Sequence, residues 1–211
     1  EICACLVGSE MCIRDSYYIV AYKCGNNICS QAAITLRQWF VDVIILTGGG
    51  YQMIDMKSRT ACFTGHRELP TDDLPEISKH LEDALITLIE QGYRYFGAGG
   101  ALGFDTLAAQ VVLRLRERYP QIRLILVLPC LNQTRGWPQE DIDTYEEIKR
   151  CADKVTYTSE RYFRGCMQKR NRHLADNSSA CICYLTKPTG GTAYTVSYAR
   201  RCGLQVINIA E

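Results

Sequence analysis

At 211 residues with a formal net charge of +1, the chain is long enough to bury a core and suits one domain, or one domain with an appendage. So balanced a charge gives no global attraction to nucleic acid or to an anionic membrane. No apolar run approaches the ~20 residues of a membrane span, so the sequence reads as that of a soluble protein without a membrane partner. The 12 cysteines form no C-x-x-C pair, and His66, His80 and His173 stand apart from any zinc-ligand spacing, which argues against a metal site. Cys62, Cys181 and Cys183 fall in apolar strand-like runs, where a thiol packs as a small hydrophobe; that fits the reducing cytoplasm better than a disulfide scaffold.

In chain order, residues 1–52 come first, and they show neither a clear helical or strand period nor strand-helix alternation. Residues 6–16, LVGSEMCIRDS, resemble the conceptual translation of a transposase adaptor used in sequencing libraries. Gly48-Gly49-Gly50 can be encoded by a purine-rich ribosome-binding box, with Tyr51-Gln52 as spacer before Met53. Residues 1–52 are therefore expected to be a non-native translated segment outside the fold, with the start at Met53 or Met56. The rival reading makes strands of the apolar stretches 19–21 and 41–46, and no basic, apolar and small-residue series marks a signal peptide.

From residue 53 onward a single domain is expected. Residues 60–64 read as a strand ending at Gly65, and Ile77, Leu81, Leu85, Leu88 and Ile89 recur at helical spacing over 75–90. A strand at 93–98 is followed by a glycine loop and a helix over 105–118, striped by Leu107, Val111 and Leu115 and stopped by Pro120. Residues 123–128 are almost continuously apolar, the mark of a strand buried on both faces in a parallel sheet. Then follow a helix at 140–152, a strand at 154–158, a helix at 167–176, a strand at 180–185, a helix at 193–202 and a last strand at 205–209. The alternation predicts an α/β, Rossmann-like, doubly wound and mostly parallel sheet with helices on both faces.

Three loops that follow predicted strands carry the chemistry: Thr64-Gly65-His66-Arg67, the run from Gly97 through Gly99, Gly100 and Gly103 to Asp105, and Pro188-Thr189-Gly190-Gly191-Thr192. Glycine between a strand and a helix lets a ligand approach the backbone and aims helix N-terminal N–H groups at an anion. In a parallel sheet these loops share one edge and would converge on one crevice. Arg67 offers a planar fork suited to phosphate. Asp105 reads equally as a helix cap or as an acceptor for a ribose hydroxyl, and Thr192 as a cap or a phosphate ligand. The run Arg161, Arg164, Lys169, Arg170 and Arg172 is either a solvated face or a phosphate clamp.

The combined order resembles the SLOG superfamily, most closely its YpsA-type branch: Thr64 to Arg67, Gly99-Gly100-Ala101-Leu102-Gly103-Phe104-Asp105, Pro129, Gln133, Trp137, Tyr145, Ala152-Asp153, Arg170-Asn171-Arg172 and Gly190-Gly191-Thr192. The resemblance implies a Rossmann-like domain whose small-molecule ligand, a nucleotide or a derivative of one, lies on Gly65, His66, Arg67, Gly99, Gly100, Gly103, Asp105, Arg170, Asn171, Gly190, Gly191 and Thr192, without a cofactor or metal. Among relatives of this kind are LOG phosphoribohydrolases, sensors and DprA-type proteins that bind single-stranded DNA. The hydrolase branch carries a glutamate pair after its Gly-Thr, where this chain has Ala193, Tyr194 and Thr195. Asp105 and Glu68 remain as weak catalytic candidates. The expected function is that of a cytoplasmic nucleotide sensor or regulatory module, acting as a homo-oligomer or through a protein partner. An N-glycosidic hydrolase is second, and single-stranded DNA binding, disfavoured by the neutral charge, is third.

Overall fold

The computed structural model describes residues 17–24, 27–37, 40–47 and 50–54 by their backbone and 55–210 in full. The chain divides into two units at Met56 and Lys57. In the first, β1 (Tyr17–Cys24), β2 (Asn27–Arg37), β3 (Phe40–Thr47) and β4 (Gly50–Ile54) form an antiparallel sheet in the order β1-β2-β3-β4. β1 and β3 contain the apolar stretches 19–21 and 41–46, so the strand reading of those stretches describes the backbone there. Residues 6–16, with their adaptor-like sequence, lie outside the described residues.

The second unit alternates strand and helix: β5 (Thr60–Gly65), α1 (Leu74–Glu90), β6 (Tyr95–Ala98), α2 (Phe104–Arg118), β7 (Arg123–Leu128), α3 (Gln139–Cys151), β8 (Lys154–Tyr157), α4 (Cys166–Asp176), β9 (Ala180–Tyr184), α5 (Gly191–Arg201) and β10 (Gln205–Asn208). All six strands are parallel, in the order β10-β9-β5-β6-β7-β8. This is the expected Rossmann-like α/β fold.

Alternation along the strands sorts the two faces. Ala61 and Phe63 of β5, Leu124, Leu126 and Leu128 of β7, and Ile182 of β9 join Leu81, Leu85 and Leu88 of α1 and Val111 of α2 in one buried cluster. Cys62, Ile125, Val127, Cys181 and Cys183, at the intervening positions, are equally buried. They face the side on which α4 packs against α5. There Leu174 of α4 sits over Gly97, where a Cβ would come within 2.9 Å of its methyl group. Small thiols on this face let the helices approach closely, and Cys62, Cys181 and Cys183 are buried and in no disulfide among the described residues. The hydrogen bond with the neighbouring Cys62 thiol, and then burial, push the Cys181 thiol well above its ordinary pKa.

None of the helices described is long and apolar enough to cross a membrane.

A chain beginning at Met56 is expected to keep the thermal transition of the second unit in calorimetry. A fall of more than roughly 2–4 °C, which corresponds to about 1 kcal/mol in a domain of this size, would show that the preceding residues support that unit.

Candidate functional site

β5 decides where a ligand can sit. From β5 the chain moves outward through β6 and β7 to β8, then returns to β9 on the other side of β5, so the strand order reverses between β5 and β9. Open α/β sheets bind ligands outside the strand C-termini at this kind of switch point. A pocket of about 330 Å³ lies there, lined by Thr64, Gly65, His66 and Arg67 after β5, Ala101 and Asp105 around the start of α2, Met167, Arg170 and Asn171 of α4, and Gly191 and Thr192 of α5. An adjoining cavity of about 650 Å³ shares His66 and Arg67 and extends past Glu68 and Asp73 to Tyr184 and Lys187.

A buried ion pair crosses the floor of the pocket. Arg170 Nη1 donates to Asp105 Oδ2 at 2.9 Å, and both side chains are more than nine-tenths buried. The same oxygen accepts from the Ala101 backbone N–H at 3.3 Å. Arg170 Nε has no hydrogen-bond partner among the described residues. Asp105 therefore does not cap α2: Gly103 holds the N-cap position, and the carboxylate inside the first turn ties the glycine loop to α4. A shift of one residue from the expected helix start separates these two roles.

The loop glycines divide by what surrounds them. A Cβ at Gly99 would fall on the Arg170 guanidinium, and one at Gly103, where φ is +73°, would strike the Arg67 carbonyl. Gly100 backs on Leu128 and Tyr145, and its carbonyl accepts from Gln133 Nε2. Gly99, Gly100 and Gly103 thus sit behind the pocket wall, and Gly190 is the N-cap of α5. Gly191 lines the pocket, and a Cβ there would meet nothing within 4 Å. Thr192 spends its hydroxyl on the Gly65 carbonyl at 2.9 Å, joining α5 to the end of β5.

Of the basic run, helical geometry turns only Arg170 toward the pocket, together with Met167 and Asn171 one turn apart. Asn171 Nδ2 donates to Thr195 Oγ1 at 2.8 Å, whose own hydroxyl donates to the Gly191 carbonyl. Arg172 instead packs over the Tyr194 and Tyr198 rings and donates to the Tyr194 hydroxyl. Lys169 Nζ donates to the Thr158 carbonyl. Sequence reading missed Ala101 and Met167 as lining residues and the link between Asp105 and Arg170. Only the period of α4 hinted at Met167, which lies three residues before Arg170.

His66 joins the loops after β5 and β9, because its Nε2 accepts from the Thr186 N–H at 3.1 Å. Burial, and then the nearby Lys187 charge, lower its pKa from the ordinary imidazole value. Among the described residues no group of three or more potential ligands could hold a metal ion.

A six-stranded parallel sheet with a polar pocket at its switch point defines the Rossmann-like class. Within that class the YpsA family model, the YspA SLOG family, matches residues 62–205, and the chain belongs to this family. It is similar to a UPF0398 protein of Halalkalibacterium halodurans, 30% identical over 128 residues, covering 59% of this chain and 68% of that one. It is also similar to a UPF0398 protein of Bacillus cereus, 30% identical over 130 residues, with coverage of 60% and 71%. Among solved structures, DNA processing protein A (DprA) of Streptococcus pneumoniae matches with a TM-score of 0.53 at 19% identity, over 72% of this chain and half the length of that protein. DprA of Helicobacter pylori, solved for its single-stranded DNA binding mode, matches with a TM-score of 0.51 at 13% identity over 91% of this chain and 80% of that one. At these identities the likeness is one of fold.

Two outcomes are expected from this geometry. Asp105→Asn leaves Arg170 buried without its counter-charge and should lower stability to urea by about 3–5 kcal/mol, while Asp105→Leu with Arg170→Met should recover most of the loss. Because the folded-state pKa of His66 lies below its unfolded value, the unfolded chain binds the proton more readily. Stability should then fall as pH drops through and below the ordinary imidazole range near 6.5. His66→Gln should flatten part of that slope in urea titrations, leaving the part due to His173, whose pKa burial also lowers.

Proposed function

We propose that the protein binds a phosphate-bearing nucleotide or nucleotide derivative in the pocket at the end of β5, and that it serves in the cytoplasm as a sensor or regulatory module without cleaving that ligand. Gly191 carries the reading. Neither a positive φ nor any neighbour within 4 Å requires glycine there, yet the residue opens the first turn of a helix that lines the pocket. A bare backbone at a helix start suits close approach by an anion. The first intrahelical bond of α5 is the one Tyr194 N–H makes to the Gly190 carbonyl, so the N–H groups of Gly191, Thr192 and Ala193 precede the ladder. The exposed Arg67 adds a fork for phosphate at the rim.

Glycosidic hydrolysis needs an acid or base to activate water or protonate the leaving base, and the hydrolase branch uses carboxylates for it. Residues 192–195 supply none, Asp105 is held by Arg170 and the Ala101 N–H, and Glu68 stands in the outer cavity. Single-stranded DNA binding is the second reading, and the likeness of fold to DprA favours it.

A panel of nucleoside mono-, di- and triphosphates and short oligothymidylates separates these readings by thermal shift and product chromatography. A nucleotide at a hundred times its dissociation constant should add about 2.7 kcal/mol to stability. Gly191→Val should abolish that shift while leaving the ligand-free melt unchanged, and Arg67→Ala should weaken it. Free base released from a monophosphate would establish the hydrolase instead, and a response to oligothymidylate alone would establish the DNA-binding reading.

A further inference from the structure

The exposed large apolar side chains among the described residues are Leu131, Tyr162 and Phe163, with exposures of 65%, 64% and 45%. They occupy two loops, after β7 and after β8, and the Leu131 N–H donates to the Glu160 carbonyl at 3.4 Å, so the loops run side by side. Tyr162 and Phe163 sit between the exposed Arg161 and Arg164, and neither arginine is in an ion pair among the described residues. Where the other large apolar side chains among the described residues are buried or partly buried, an aromatic pair and a leucine left in water on adjoining loops mark a surface built for a partner. Tyrosine, phenylalanine and arginine are also residues that interface centres favour over the rest of the surface.

The complementary charge is found on the same chain. α3 follows the Leu131 loop directly, and Glu140, Asp143 and Glu147 recur along it at positions open to solvent. Asp143 accepts from Gln139, whereas Glu140 and Glu147 have no ion-pair partner among the described residues. We infer that the aromatic and basic loop of one molecule docks on the acidic face of α3 of a second copy, giving a homodimer. In a twofold dimer each patch meets its complement twice, once in each direction. The aromatic pair then supplies buried apolar area, and the arginines fix register against the glutamates. Interleaved aromatic and basic residues also suit a single strand of nucleic acid. The acidic face of α3, on which Glu140 and Glu147 have no ion-pair partner among the described residues, favours the second copy.

Charge exchange tests the pairing in the full chain, by sedimentation velocity at micromolar concentrations. The wild type should dimerise and loosen with added salt. Arg161→Glu with Arg164→Glu, and separately Glu140→Lys with Glu147→Lys, should each weaken association about tenfold or more, because like charges then face each other. An equimolar mixture of the two variants should form a heterodimer, since both interfaces in the mixed pair regain opposite charges. Tyr162→Ala with Phe163→Ala should be monomeric in every mixture, with an unchanged thermal melt. A wild type that stays monomeric, a mixture that fails to pair, or an alanine variant that still dimerises would overturn the proposal. Monomeric protein that binds oligothymidylate through Tyr162 and Phe163 would overturn it too, and would give the surface to a single strand instead.

Discussion

The ion pair between Asp105 and Arg170 is the constraint from which the rest of the site follows. Two charges at 2.9 Å, each more than nine-tenths buried, are costly to desolvate, so they persist only where geometry and further hydrogen bonds compensate. Here the Ala101 N–H supplies a second donor to the carboxylate, and the missing side chain at Gly99 makes room for the guanidinium. One bond therefore sets the path of the loop after β6, the start of α2 and the rotation of α4. That rotation turns Met167 and Asn171 toward the pocket and leaves Arg172 to the tyrosines of α5. The basic residues of α4 consequently do not act together: one serves as a beam, and the others answer to different neighbours.

A parallel sheet places every loop of this kind on one edge, but only the reversal of strand order opens a gap between them. β5 lies at that reversal, and its last residues are tied on both sides. The Thr192 hydroxyl holds α5 to the Gly65 carbonyl, and the Phe104 N–H donates to the His66 carbonyl at 3.0 Å. The start of α2 and the start of α5 are thus both anchored to one short stretch of backbone. His66 adds a third link, to the loop after β9, through an interaction that requires a neutral imidazole. The pocket walls come from separate elements, yet they share a single support.

The fold was largely legible because its signals are local. The unbroken apolar run of β7, the helical spacing of Ile77, Leu81, Leu85 and Leu88, and glycine or proline at the boundaries each depend on near neighbours in sequence. Boundaries moved by one or two residues: α2 begins at Phe104, and α5 at Gly191 rather than Ala193. The site was legible as a set of loops and much less so as a set of roles. Asp105 and Arg170 are 65 positions apart, and no periodicity connects them. Their pairing depends on how α4 crosses the sheet, which is a property of packing. Over residues 17–54 the sequence showed no clear period, so of β1 to β4 only the apolar stretches 19–21 and 41–46 offered a strand reading, as the rival to a segment outside the fold.

Glycines at a nucleotide-type loop are commonly read as space left for a ligand, and here most of that space is filled by the protein. Gly99 admits a guanidinium, Gly103 admits the carbonyl of Arg67, and Gly100 backs on Leu128. The motif therefore builds the wall before anything reaches it, and replacing any of these three would disturb the fold whether or not a ligand exists. Gly191 differs, since the protein leaves its Cβ position open and its backbone dihedral is available to any residue. A loss of binding traced to Gly99 or Gly103 would thus say little about contact with a ligand. The same loss traced to Gly191, in a protein that melts normally, would locate the ligand at the start of α5.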